Sequence, residues 1–152
     1  MFNHVLLVIE NLALALIIGG GVTMALGVRP LLQEKLSQRS YSNLIATIEE
    51  ISINSWNKYN HFAFISALLI VAVDLIRVSN NFSFTYWHIG LALLMALALI
   101  RKFAIDKQLK DRLNTGSASV VRSEEQNAGH RQVEFLSKMT LVLALLLIIL
   151  PK

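Results

Sequence analysis

Residues 5–28 constrain this chain more than any other stretch: 24 residues interrupted only by Glu10, Asn11 and Thr23. A helix of that length and apolarity is long enough to cross a bilayer. The residues before it lack the positive region of a secretory signal, and the run is too long for a signal's apolar region, so a retained first span is expected. The rest of the composition agrees. Charged residues make up 16% of the chain, where a soluble domain carries about a quarter, and they are clustered, leaving long stretches with almost none.

The remaining chain divides into three further spans. The whole of 1–152 is expected to form a single all-α membrane domain, a four-helix bundle with spans near 5–28, 57–77, 86–105 and 131–150. Arg29 and Pro30 mark the end of the first span at a charged boundary. Within segment 29–56, Leu44, Ile45, Ile48 and Ile51 recur at helical spacing with Glu49 and Glu50 opposite. This predicts an amphipathic helix that lies on the membrane or extends the second span. Trp56 and Tyr59 suit the membrane interface.

A short hairpin, 78–85, rich in aromatic residues, joins spans two and three; Asn81-Phe82-Ser83 within it has the form of a glycosylation sequon. The charge-free cores of spans three and four, 89–100 and 139–150, hold 12 residues each. That is roughly 18 Å of helix against a hydrocarbon core of about 30 Å. Long helices that protrude beyond the lipid, with Arg101 and Lys102 reaching outward by snorkelling, resolve the shortfall. A helix break is expected at Asn114-Thr115-Gly116-Ser117 in segment 106–130, which reads as the most mobile part of the chain.

Orientation follows from the basic residues. Segment 29–60 carries Arg29, Lys35, Arg39 and Lys58, and segment 101–138 carries eight more; only Arg77 and Lys152 fall on the other side. Twelve against two predicts both termini outside and both long connections in the cytoplasm, as in a bacterial inner-membrane protein. The net charge of +4 is explained by this topology, without nucleic acid as a partner.

Cysteine is absent, which excludes disulfides, thiolate nucleophiles and iron–sulfur or cysteine-bound zinc sites. There is no phosphate loop, catalytic triad or paired-histidine zinc motif, so no enzyme is indicated and no cofactor is required. Four groups of residues remain as candidates. Ala15, Gly19, Thr23 and Gly27 share one helical face, where small side chains let a partner helix approach. Glu10 lies inside a span, and an ionisable group there is a functional candidate by default; the plainer alternative is a pair with Arg77. With His4, Asp74 and His88 at the same predicted depth, Glu10 offers a ligand set for copper, zinc or another divalent ion. His61 and His130 form a second pair at the inner level, as bis-histidine haem ligation would need. Met24 and Met95 are isolated and fit packing better than a copper pathway.

The order of features resembles a family of small, uncharacterised four-helix membrane proteins, itself distantly similar to the membrane domain of copper-resistance protein D. The resemblance rests on a glycine cluster in span one, the Val28-Arg29-Pro30-Leu31-Leu32 boundary, Ile105-Asp106-Lys107-Gln108-Leu109 after span three, and Gly129-His130-Arg131 and Phe135-Leu136-Ser137 before span four. Pro30 and His130 match residues typical of the family, whereas Leu31 and Leu32 stand where a phenylalanine commonly follows the proline. The resemblance implies the four-helix architecture and, through the more distant relative, copper handling. Three function classes therefore stand as expectations. They are an accessory subunit packed against larger membrane proteins, a metal or small-solute transport component, and a redox protein holding haem or quinone.

Overall fold

The computed structural model describes residues 1–37, 44–80, 82, 86–115 and 120–150. The sequon positions 81 and 83, residues 116–117 of the expected helix break and half of the short hairpin lie outside them. The order is α1 (Phe2–Val22), a π-helical turn (Thr23–Val28), α2 (Arg29–Ser37), α3 (Ile45–Ser79), α4 (Tyr86–Thr115), a 3-10 turn (Val120–Arg122) and α5 (Glu124–Ile149). Four helices, Phe2–Lys35, Ile45–Ser79, Tyr86–Thr115 and Glu124–Ile149, are long and apolar enough to cross a membrane. This is a multi-pass membrane protein by length and composition.

The helices run up and down around a ring in which α1 packs on α3 and α5, and α4 packs on the same two. The start of α1 and the end of α5 share one end of the bundle, called here the terminus end. The other end, with the start of α3 and the end of α4, is the connection end. Each helix turns one stripe inward at alternating three- and four-residue steps. In α4 the buried stripe is Ala92, Met95, Leu99, Lys102, Asp106 and Leu109; in α3 it includes Asn60, Ala63, Ala67, Ile70, Asp74 and Arg77. Alanines at these steps let the backbones approach closely. The main apolar cluster joins Leu14, Ile17, Ile70, Met95, Leu99 and Leu147 across all four helices, and a smaller one of Ile53, Ile105, Leu109 and Val133 lies nearer the connection end. Large apolar side chains such as Leu12, Leu16, Phe62 and Leu97 point outward, as lipid-facing residues do. Met95 is fully buried in the main cluster, consistent with packing.

Two local expectations meet a different structure, and a third is decided between its alternatives. Arg29 and Pro30 do not end the first helix, which continues to Ser37. Proline lacks an N–H and its ring crowds the carbonyl one turn back. The π-helical turn just before it, in which Arg29 N–H reaches Met24 O, gives the room that lets the helix pass through. Of the two arrangements expected for residues 44–55, the structure has the extension of the second span: α3 runs unbroken from Ile45 to Ser79. Their faces are mixed: Ile45 and Glu49 are buried, while Leu44, Glu50 and Ile51 are exposed. Finally, Lys102 does not snorkel: it is 0% exposed, on the core stripe.

Candidate functional site

At the terminus end, Glu10, Asp74, Arg77 and His88 converge inside the bundle, each 0–3% exposed. The inward stripes of α1 and α3 carry the first three, and the first turn of α4 supplies His88. Arg77 Nη1 stands 2.5 Å from Glu10 Oε2 and 3.4 Å from Asp74 Oδ1. His88 Nδ1 is 2.7 Å from Asp74 Oδ2, and its Nε2 is 3.2 Å from Glu10 Oε1. A neutral imidazole has one donor and one acceptor nitrogen, and an ionised carboxylate only accepts. A carboxylate at each nitrogen therefore requires one proton more than neutral histidine and two carboxylates carry. With that proton, Arg77 and the imidazole balance Glu10 and Asp74, and the buried cluster is neutral, as low-dielectric surroundings demand.

The expected metal set is thus only partly assembled. Glu10, Asp74 and His88 meet, but both ring nitrogens are engaged and a guanidinium sits on both carboxylates. His4 is exposed on α1 and stands apart. Among the described residues no group of three or more His, Asp or Glu side chains is arranged to hold a metal ion. The pairing of Glu10 with Arg77, the plainer alternative, is present.

The connection end holds a cavity of about 460 Å³ between α1–α2, α3 and α5, bordered by Arg29, Trp56, Tyr59, Asp106, His130 and Glu134. The sparsest of the four seams, α1 against α5, borders it, and the π-helical turn passes beside it, with Ala25 in its wall. Such turns frequently mark functional sites. Tyr59 seals its inner end. The phenol donates to Ile17 O at 2.8 Å. A Cβ at Gly20 would come within 2.8 Å of its ring, and one at Gly21 within 2.8 Å of its hydroxyl and of Leu141. The glycine cluster thus serves Tyr59.

Polar residues lie on the inner wall and behind it. Asn60 Nδ2 donates to Asp106 Oδ2 at 2.9 Å. Gln126 Nε2 donates to Glu49 Oε1 at 3.2 Å, and His130 Nε2 meets the same oxygen. Arg29 donates to Glu134 at 2.7 Å, and Lys138 stands 2.9 Å from the same carboxylate. Lys102, one turn before Asp106, places Nζ 5.4 Å from the Trp56 ring and 5.5 Å from the Tyr59 ring. Nζ has no hydrogen-bond partner among the described residues, nor does Asn60 Oδ1.

The inner histidines are not a facing pair. His61 is exposed, its ring 4.6 Å from that of Phe103 and its Nδ1 2.8 Å from Asn57 O, while His130 borders the cavity. Ala15, Gly19, Thr23 and Gly27 all face outward, and a Cβ at Gly19 or Gly27 would meet nothing within 4 Å. Sequence reasoning missed Asn60, Lys102, Asp106, Glu49 and Gln126. The signal was their register: each falls in step with apolar residues on a buried stripe. The chain matches no family model, no curated protein and no solved structure.

Proposed function

We propose that this chain is a proton-coupled membrane carrier component for a small solute. The Glu10–Asp74–Arg77–His88 cluster holds the coupling proton, and the cavity at the connection end holds the solute. The observation that carries this reading is the imidazole of His88 between two buried carboxylates, a grouping that a merely structural helix bundle does not need. A proton gained or lost there changes the charge of a buried, four-residue clasp joining α1, α3 and α4. That supplies the differential energy a two-state carrier requires. The loosely packed α1–α5 seam is the element such a change would bias. By the distribution of basic residues, both termini lie outside and the cavity opens to the cytoplasm.

The test is uptake by membrane vesicles containing the chain, supplied with cell metabolite extract and an imposed pH gradient, with accumulated solutes read by mass spectrometry. At least one solute accumulates with wild-type protein, and that accumulation is lost with a protonophore and in Glu10→Gln and His88→Gln variants. Identical solute profiles with wild-type, variant and empty vesicles would overturn the proposal.

The outward stripe of Ala15, Gly19, Thr23 and Gly27 favours a second reading, an accessory subunit. Small residues left uncovered by the chain's own helices are available to a neighbour. Gly19→Leu with Gly27→Leu would then release a co-purifying partner, and unchanged co-purification counts against that contact.

A further inference from the structure

Lys102 carries an inference that rests on reading the cavity as the solute site. An ammonium has three donors and no acceptor, and desolvating it without a partner is costly. Here it is 0% exposed and bonded by no described acceptor; the carboxylate of Asp106 and the faces of Trp56 and Tyr59 are its electrostatic support. Cation–π contact of this kind favours the charge without satisfying its hydrogens. The same two rings and Asp106, one turn along α4, border the cavity. The ammonium therefore stands directly behind the cavity's aromatic wall, on a flexible four-carbon stem.

The carboxylates around the cavity each have a partner. Arg29 and Lys138 hold Glu134, His130 and Gln126 hold Glu49, and Asn60 holds Asp106. What the cavity lacks is an acceptor for Lys102. Its remaining walls include Leu32, Ile45, Ile53 and Leu141, beside the two aromatic rings. A volume near 460 Å³ is the size of a small-molecule site.

We infer that the cavity binds an amphipathic monoanion, a carboxylate on an apolar body, with the carboxylate received by Lys102 and the apolar part lying against Trp56 and Tyr59.

The probe is decanoate, compared with decyltrimethylammonium and decanol, which keep the chain and change the head. The protein is the full chain in phosphatidylcholine nanodiscs, so that no lipid in the disc carries a net anionic head. Trp56 and Trp87 are the only tryptophans, so the Trp87→Phe variant leaves Trp56 as the sole reporter by fluorescence. Decanoate shifts Trp56 emission saturably, and the cation and the alcohol bind about tenfold or more weaker. Lys102→Met in the same background weakens decanoate by a similar factor, and Lys102→Arg retains part of the affinity. Equal binding of the three probes, or unchanged decanoate binding in a well-folded Lys102→Met, would overturn the inference. The comparison of heads on the parent protein stands even if Lys102→Met fails to fold. Because no proton gradient is involved, failure here leaves the proton-coupling result untouched, and failure there leaves this one untouched.

Discussion

His88 Nδ1 lies 2.7 Å from Asp74 Oδ2, on a different helix and inside the bundle. That contact joins two residues 14 positions apart into one buried charged cluster, completed by Glu10 from α1 and by Arg77 one turn further along α3. Coulomb attraction between buried groups is large, but so is the cost of desolvating them, so the cluster is sensitive to the loss of any one member.

Removing Arg77 leaves two buried carboxylates facing each other. Arg77→Met is expected to destabilise the bundle by about 3–5 kcal/mol, measured by denaturant titration of helicity in mixed micelles. Adding Glu10→Gln restores much of that loss, because it deletes one stranded charge. Losses that simply add in the double variant would mean the two residues are not coupled.

The glycine cluster divides by face. Gly20→Leu and Gly21→Leu drive a side chain into Tyr59, and overpacking of this kind costs about 1–3 kcal/mol. Gly19→Leu, with open space outside it, stays within about 0.5 kcal/mol in the isolated chain. Equal effects on the two faces in the same unfolding assay would contradict the placement of Tyr59.

The start of α5 is fixed by Ser123, whose Oγ accepts from Gln126 N–H at 3.2 Å, with Glu124 and Glu125 in the first turn. Ser123→Ala should cost about 1 kcal/mol and Ser123→Asn much less. Hydrogen exchange at the first turn of α5 reads the difference directly; identical exchange in the two variants would argue against the cap.

Asn60 holds the buried carboxylate of Asp106. Asn60→Leu is expected to lose about 0.5–2 kcal/mol, the range for hydrogen bonds between membrane helices. Asp106→Asn in the same background should cost further stability, because it removes the carboxylate beside the buried Lys102 ammonium. No further loss in the double variant would show that Asp106 and Lys102 are not coupled.

The four helices were legible because span length and charge-free composition depend on the bilayer thickness alone. Glu10 was legible as an anomaly within an apolar run. Lys102 and Glu49 were not, because both were judged by the rule that charge turns outward and apolar residues inward. In lipid that rule reverses, and the inward stripe of α4 runs Ala92, Met95, Leu99, Lys102, Asp106, Leu109 without changing step. Tyr59 was placed at the interface for its chemistry, and only the helix packing reveals that Gly20 and Gly21 receive its ring. The continuation of helix through Pro30 depends on a π-helical turn, for which the sequence carries no signal.

The most direct measurement is the protonation of the His88 ring, by nitrogen-15 magnetic resonance of histidine-labelled protein in lipid bilayers across a pH series, with His88→Gln identifying its signals. Proton coupling predicts a ring with both nitrogens protonated in the loaded state and a single proton lost as pH rises, absent from the His88→Gln spectra. A His88 ring that holds one neutral tautomer at every pH would contradict it.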